Sequence, residues 1–215
     1  MDDAPQIARG RKFMQVQAAA RLVFLRDGYA GASVDDIARE ARVSKATLYS
    51  YFTDKRRMFC HIITDEMDHL AGEFRLPVSR TGGVESALTD YLGDLVALHL
   101  GERHVLLARV CIGEAGRFPD IARRYHLLFR QVPMDTLRAF LDSRVDEGDL
   151  HLPDTAEAAA QLLRLPVALL HDHALLPGGA QIIDAGLIRS RAADAARSLI
   201  AAARMPRTDL RKRLG

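Results

Sequence analysis

Hydroxyl and ammonium groups are concentrated in the segment VSKATLYSYFTDKRRMF, at residues 43–59. Lys45, Thr47 and Ser50 carry hydrogen-bond donors within about one and a half helical turns, and Lys-Arg-Arg follows at 55–57. Such groups can donate to the phosphate oxygens of nucleic acid or to the edges of bases. No carboxylate pair and no Ser/His/Asp arrangement recurs at a helix-defined spacing, so the sequence predicts no catalytic residues and no enzyme.

The direction of each side chain decides whether this segment can meet nucleic acid. A helix advances about 100° per residue, so Leu48 and Phe52 lie within about 40° of each other. They are the only bulky aliphatic or phenylalanine positions of the short helix, and we expect both to face the core. The remaining face is small, hydroxylated and aromatic, with Lys45 and Tyr51 at its edges; it comprises Lys45, Ala46, Thr47, Tyr49, Ser50 and Tyr51.

Helix start and stop signals place two helices before this segment. The first is expected over residues 9–27, with Gly28 where a helix C-cap is expected. Ser33 followed by Asp36 matches a capping box, so a brief second helix should begin there and end near Arg42. The first helix should carry one apolar stripe, formed by Phe13, Val16, Ala20, Val23 and Phe24, and the second should turn Ile37 and Ala41 inward.

Two further helix caps complete the pattern. Ser44 offers an N-cap for the hydroxylated helix, and Thr53 with Asp54 offers one for a helix reaching about Ala71. Short helices joined by a turn, the second presenting small polar side chains, suit a helix-turn-helix whose second helix enters the major groove. The helix starts capped by Ser33 and Ser44 would also aim amide donors at the phosphate backbone.

Helical periodicity continues to the end of the chain without a convincing strand hairpin. The Arg-Thr-Gly-Gly stretch after Pro77 is the best boundary between subregions. Breaks are expected at Pro133 and Pro166 within longer helices. Those helices are expected at about 83–100, 102–116, 119–148, 154–176 and 184–204.

Charge is distributed unevenly along the 215 residues, although the net charge is only +2. Residues 1–57 hold eleven Lys or Arg against seven Asp or Glu, a net of +4, and the remainder holds nineteen against twenty-one, a net of −2. This asymmetry indicates an anion-binding end. The sequence shows no secretory signal and no apolar run long enough to cross a membrane, so a cytoplasmic protein without membrane contact is expected.

Neither the cysteines nor the histidines predict a metal or cofactor. Cys60 and Cys111 are too few and too far apart for a disulfide framework or a metal knuckle, and free buried thiols are expected. His171 and His173 lie two residues apart, and such side chains point about 160° away from each other on a helix, so they do not share one metal.

The run FLRDGYAGASVDDIAREARVSKATLYSYFTDKRRMF, from residue 24 to 59, closely resembles the DNA-binding region of the TetR family of bacterial transcriptional regulators. The resemblance rests on a glycine-aromatic turn, an Ile-Ala pair, a Val-Ser turn, a recognition helix with the Leu-Tyr-x-Tyr-Phe pattern and a following lysine. The matching residues are Gly28, Tyr29, Ser33, Ile37, Ala38, Val43, Ser44, Leu48, Tyr49, Tyr51, Phe52 and Lys55. Ala46 stands where glycine is frequent, and Ser50 with Tyr51 departs from the common ending, so the operator sequence cannot be taken from a relative. EAGRFPDIARRYH, at 114–126, resembles AcrR and AefR regulators more loosely.

The resemblance implies an all-α fold of about nine helices and a homodimer that binds double-stranded DNA and responds to an unknown small-molecule effector. Most such proteins are repressors, although the sequence does not separate a repressor from an activator. The implied division is a DNA-binding domain at 1–57, a connecting helix at about 54–71, a ligand-binding and dimerisation domain at 72–204 and a basic tail at 205–215. A helical sensor or enzyme without DNA binding is the alternative.

Site residues follow from these expectations. The DNA-binding set is Ser33, Ser44, Lys45, Ala46, Thr47, Tyr49, Ser50, Tyr51 and Lys55. Polar or aromatic residues within the apolar middle helices could line an effector pocket or could be ordinary core; they are Tyr91, His99, Cys111, Tyr125, Phe129 and His171. Stripes rich in small residues on the last two helices could form an intrachain core or a dimer interface, and the resemblance favours the interface. The interface set is Leu163, Val167, Leu170, Ile188, Ala192, Ala195 and Leu199.

Overall fold

A computed structural model of the chain describes residues 10–73, 83–164 and 185–203. All regular secondary structure in these ranges is helical, which confirms the predicted all-α class. The helices are α1 Arg11–Gly31, α2 Val34–Glu40, α3 Lys45–Tyr51, α4 Lys55–Glu73, α5 Val84–Leu100, α6 Glu102–Gly113, α7 Pro119–His126, α8 Val132–Asp146, α9 at residues 155–164 and α10 Ala185–Ala203.

The chain divides into two compact units. The first takes residues 1–73 and 106–126, and the second takes 74–105 and 127–215. Each unit groups residues that contact one another in space. The domains expected from the sequence were instead divided by function. The functional division into DNA-binding and ligand-binding regions stays a prediction.

The first unit is built around the apolar stripe of α1. Phe13, Val16, Ala20, Val23 and Phe24 are all buried, as the helical spacing predicts. The Phe24 ring meets the Phe59 ring of α4 edge to face at 5.1 Å, and such aromatic pairs are stabilised beyond their area burial. The stripe therefore joins α1 to α4.

α1 ends differently from the prediction. Gly28 has φ 68° and ψ −174°, a conformation that glycine adopts readily and other residues rarely. The chain kinks there and returns to helix as far as Gly31, whereas the first helix was expected to end at residue 27. The predicted break at Gly28 is present, but a further helical turn lies beyond it and the C-cap is Ala32.

The second unit has a core formed mainly by α5 and α10. Leu88, Leu92 and Leu95 of α5 lie in one buried cluster with Ala192 and Ala196 of α10. The small side chains of α10 let the two helices approach closely. This core accounts for part of the small-residue stripe that the sequence displays.

A π-helical turn, Leu127–Gln131, separates α7 from α8. The sequence predicted one long helix broken at Pro133, and the irregularity lies just before that proline. Pro133 has no N–H to donate to the carbonyl of Phe129, four residues earlier. His99 instead places Nε2 3.2 Å from that oxygen. A side chain of α5 thus serves a carbonyl that the helix leaves without its usual donor.

Candidate nucleic-acid interface

α2 and α3 are separate helices because each has its own cap. Ser33 Oγ accepts from the backbone N–H of Asp36, and Ser44 Oγ accepts from that of Thr47, both at 3.1 Å. Between the helices Arg42 adopts φ 53°, and the N–H of Val43 donates to Ala38 O at 3.0 Å. Both predicted caps are thus present, and a tight turn sets the direction of α3.

The inward face of α3 is formed by its two large apolar residues. Leu48 is 0% exposed and Phe52 is 7% exposed. The ring of Phe52 stacks on Phe13 of α1 at 6.0 Å, and the Tyr51 ring meets Phe13 edge to face at 5.3 Å. Burial of such side chains contributes about 1.5–3 kcal/mol each relative to exposure. The orientation predicted from helical spacing is therefore the one observed.

The outward face of α3 carries five of the predicted residues, whereas Tyr51 is half-buried against Phe13. Lys45, Ala46, Tyr49 and Ser50 are exposed, and Thr47 is half-buried. Tyr49 is 47% exposed although it is a large aromatic residue. With no bulky aliphatic group on this face, the helix backbone can approach another surface closely.

The hydroxyl groups of α3 are already ordered by local hydrogen bonds. Ser50 Oγ donates to the carbonyl of Thr47 at 2.6 Å, and Ser44 Oγ lies 2.9 Å from Thr47 Oγ1. When its hydrogen is given to the backbone, the Ser50 hydroxyl presents lone pairs outward. In that state it can accept from the amino group of adenine or cytosine in the major groove.

Lys45 is paired within the protein. Its Nζ lies 2.6 Å from Oδ1 of Asp35 in the first turn of α2. The hydrogen bond and the charge of Asp35 raise the pKa of Lys45 above its ordinary value. Both side chains are more than half exposed, so the pair is screened by water and salt. Phosphate or a base edge would compete with Asp35 for this ammonium group.

Cations at the start of α4 rest on aromatic rings. Lys55 Nζ lies 4.6 Å from the ring centroid of Tyr29, and the Arg56 guanidinium lies 4.5 Å from that of Phe118. Oδ1 of Asp54 accepts from the N–H of Arg57 at 2.7 Å, a hydrogen bond that holds the pKa of Asp54 below its usual range. Asp54 thus provides the third predicted cap, and the Lys-Arg-Arg cluster begins the helix.

The predicted effector-binding residues fall in different compact units. Cys111 and Tyr125 are buried in the first unit, whereas Tyr91, His99 and Phe129 are buried in the second. His171 lies outside the described residues. Burial raises the pKa of the Cys111 thiol to about 12, so it is not a thiolate near neutral pH. Pocket formation by this set stays a prediction.

Within the second unit, the structure brings His99 and Phe129 together with His104. The His99 and His104 rings lie 4.6 Å apart, and His104 meets Phe129 edge to face at 4.8 Å. His99 Nδ1 lies 2.7 Å from the carbonyl of Leu95, on its own helix. His104, which was not among the predicted site residues, carries no local sequence signal that marks it as a neighbour of residue 129.

Tyr91 is held separately by the start of α8. Its hydroxyl donates to the carbonyl of Pro133 at 3.0 Å. Burial raises the pKa of Tyr91 to about 12, although a hydrogen bond with Thr136 acts in the opposite direction. This hydroxyl therefore stays protonated and serves as a donor over the physiological range.

Two grooves lie along α5 and α10. The larger has a volume of about 750 Å³ and the smaller about 170 Å³, and both are lined by Thr89, Asp90 and Arg189. Neither includes Tyr91, His99 or Phe129 in its lining. Among the described residues, no group of three His, Cys, Asp or Glu side chains could hold a metal ion, and no helix is long and apolar enough to cross a membrane.

The predicted interface residues divide by burial. Ala192 is 0% exposed and Ala195 is 8% exposed, and both lie in the core cluster of the chain itself. Leu163, Ile188 and Leu199 are only partly buried against that cluster, which leaves surface for a second copy. Val167 and Leu170 lie outside the described residues. The dimer interface stays a prediction, with the partly exposed residues as its strongest members.

Two family profiles match the chain. One, described as bacterial regulatory proteins of the tetR family, matches residues 17–62 and therefore contains α2 and α3. The other, described as the C-terminal domain of AefR-like transcriptional repressors, matches residues 86–205, more than half of the chain. The two matches together span the helix-turn-helix and the later helices.

Individual relatives agree with the profiles. The solved structure of the Flavonoid-responsive Regulator FrrA is 30% identical, with a TM-score of 0.69 over 92% of this chain and 99% of that one. The Nucleoid occlusion factor SlmA of Yersinia pseudotuberculosis is 27% identical over 165 residues, which are 76% of this chain and 82% of that protein. A chain described as a TetR-family regulator from Mesorhizobium loti has a TM-score of 0.73 over 89% of this chain and 96% of its own, and at 23% identity it supports the fold alone.

Proposed function

Because the chain belongs to the TetR family of bacterial transcriptional regulators, we propose that it is a ligand-responsive repressor that binds a palindromic operator as a homodimer. Regulators of this family bind DNA and act as dimers. The observation that carries the proposal is the orientation of α3. Leu48 and Phe52 are buried, and the small hydroxylated face opposite them is exposed.

Each part of this face has a role that matches its chemistry. Lys45, Thr47 and Ser50 would read base edges, since they are the donors and acceptors nearest the outward side of α3. Tyr49 and Lys55 would bind phosphates, which positions the helix without reading sequence. Two copies related by a dyad would place their α3 helices in successive major grooves, about 34 Å apart or somewhat more.

Repression is favoured by the description of the matching C-terminal profile, which is that of AefR-like transcriptional repressors. A reporter gene behind the bound DNA separates repression from activation. If the protein is a repressor, deletion of its gene should raise expression of the reporter. A fall in expression after deletion would identify an activator.

The effector class is suggested by the relative with 30% identity, whose name describes a flavonoid-responsive regulator. We take a planar aromatic ligand of the flavonoid class as the candidate effector. Such a ligand can release DNA only if it binds the DNA-free arrangement more tightly than the DNA-bound one. A flavonoid panel added to the protein–DNA complex should then lower the fluorescence anisotropy of labelled DNA. No release by any member would argue for another effector class.

DNA binding itself is tested with DNA flanking the coding region of the protein. Labelled fragments should bind in a gel shift and resist excess unrelated competitor DNA. A library selection with wild-type protein should yield a palindromic sequence, and Lys45→Ala, Thr47→Ala or Ser50→Ala should change that preferred sequence. If the protein binds no fragment, the result would support the alternative hypothesis, a helical sensor or enzyme that does not bind DNA.

A further inference from the structure

A carboxylate outside the helix-turn-helix is bound to the backbone at the kink of α1. Oε1 of Glu114, the residue after α6, accepts from the N–H of Tyr29 at 3.1 Å and from that of Ala30 at 3.2 Å. Its Oε2 accepts from Arg117 Nη1 at 3.2 Å. The Glu114 side chain is only 14% exposed. Hydrogen bonds to an ionised carboxylate are stronger than neutral ones, so this contact holds the kink firmly.

Gly28 makes the contact geometrically possible. The helical path breaks at its φ of 68° and ψ of −174°, and the N–H groups of the next two residues both donate to one carboxylate oxygen, as at other backbone anion sites. A Cβ at residue 28 would lie 3.5 Å from Oε1 of Glu114. Space alone would admit that atom, so the conformation is what favours glycine here. The kink at Gly28 and the hydrogen bonds to the Glu114 carboxylate therefore occur together.

Tyr29, whose N–H donates to Glu114, also provides the aromatic ring beneath Lys55. The Tyr29 ring packs edge to face against Phe59 at 5.2 Å and against Phe118 at 4.8 Å. Lys55 Nζ lies 4.6 Å and the Arg117 guanidinium 5.3 Å from its centroid. Both the backbone and the ring of Tyr29 are thus fixed. A lysine over a fixed ring loses less freedom when it meets a phosphate than one on an unconstrained surface.

We propose that Glu114 is a positioning residue for DNA binding, which fixes Tyr29 and thereby places the Lys55 ammonium group for its phosphate contact. The inference rests on the proposed DNA-binding function. It assigns a role to a residue that lies outside the helix-turn-helix, 85 positions from Tyr29 in sequence.

The sign of the effect separates this role from simple electrostatics. Replacing Glu114 with alanine removes a negative charge, and a more positive protein should bind DNA more tightly through long-range attraction. Loss of Lys55 positioning should have the opposite effect. Weaker binding by Glu114→Ala therefore cannot be produced by the charge change.

The test is a double-mutant cycle with the full-length chain. Wild type, Glu114→Ala, Lys55→Ala and the double variant are titrated into labelled flanking DNA at several salt concentrations. We expect Glu114→Ala to weaken binding about threefold to tenfold and to reduce the salt slope by up to about one, as loss of one phosphate contact does. In the Lys55→Ala background the further loss should be absent.

Several results would overturn the proposal. An equal loss from Glu114→Ala in both backgrounds, or an unchanged salt slope, would show that Glu114 does not act through Lys55. The matched control is Glu157→Ala on α9, an exposed glutamate whose removal changes the net charge equally. If Glu114→Ala does not fold, Glu114→Gln replaces it, because its amide oxygen accepts less strongly from the two N–H groups and it has no charge for Arg117.

A measurement without DNA keeps the inference separable from the proposed function. Nuclear magnetic resonance of the Lys55 side chain should show a ring-current shift from Tyr29 in wild type. The shift should diminish in Glu114→Ala or Glu114→Gln and persist in Glu157→Ala. An identical Lys55 resonance in all four proteins would refute the positioning role even if wild type binds no DNA, whereas failure of wild type alone to bind DNA would refute only the proposed function.

Discussion

At the residue scale, the orientation of α3 depends on Leu48 and Phe52. Both were predicted to face inward from their spacing alone, since no other residue of the short helix could anchor it. The hydroxyl partners were harder to predict, because Ser50 could donate to the backbone or point freely outward. Local geometry decides that choice, and Ser50 donates to Thr47.

Replacing Leu48 with alanine should lower the free energy of unfolding by about 2–5 kcal/mol, as expected for a fully buried leucine. Ser50→Ala is the matched exposed control and should change it by about 0.5 kcal/mol or less. Urea denaturation followed by circular dichroism measures both. Similar stabilities for the two variants would show that Leu48 does not anchor the helix.

The Asp35–Lys45 pair predicts a change in DNA affinity rather than in stability. Asp35→Asn removes a negative charge next to the proposed interface and releases Lys45 from its partner. We expect binding to strengthen by about two- to fivefold at low salt, with a smaller gain at high salt. Fluorescence anisotropy titrations measure the effect. Weaker binding would instead mean that Asp35 orients Lys45 for its contact.

At the element scale, the parts set by neighbouring residues were predictable. The serine caps of α2 and α3 and the break in α1 at Gly28 depend on short spacings that a sequence displays. The contact between His99 and the Phe129 carbonyl and the contact between Glu114 and Tyr29 join residues far apart in sequence. No local pattern indicates that His99 would serve the Phe129 carbonyl, so these features required the structure.

The pairing of α1 with α4 gives a prediction about stability. Glu66 is 0% exposed and lies 2.9 Å from Arg21 Nε, and Arg21 also reaches Asp65 at 3.3 Å. Arg21→Met should lower the free energy of unfolding by roughly 2–4 kcal/mol, because it removes this partner of a buried charge. The estimate lies below the full cost for a buried pair since the Arg21 side chain is 32% exposed.

The double variant Arg21→Met with Glu66→Met is the control for this pair. It should recover most of the lost stability, because apolar side chains can replace both charges. Chemical denaturation of the two variants and wild type gives the comparison. Additive losses in the double variant would show that Arg21 and Glu66 stabilise the fold independently.

At the scale of the whole molecule, burial within one chain refines the proposed dimer. The sequence could not distinguish residues of an intrachain core from those of an interface, since both need small apolar side chains. Ala195 is buried in its own chain, so a charge there would disrupt folding before it tested association. Leu199 is only partly buried and is the better position for a test.

Leu199→Glu should convert a dimer of the 23.8 kDa chain into a monomer, because it places an unpaired charge in the proposed interface. Ser198→Glu is the matched control, since residue 198 is exposed on the same helix. Light scattering coupled to size exclusion reports the mass of each. A dimer that persists in Leu199→Glu with unchanged circular dichroism would move the interface elsewhere.

The most direct test of the DNA-facing orientation is an anisotropy titration of Ala46→Glu with the selected operator. Ala46 is exposed at the start of α3, and a glutamate there would repel phosphate and hold the helix away from the bases. Ala18→Glu, an equal change at an exposed position of α1, is the control. We expect Ala46→Glu to lose at least about a hundredfold in affinity with unaltered thermal unfolding, and Ala18→Glu to bind nearly as wild type does. Equal affinities for the two variants would contradict the assignment of this face to DNA.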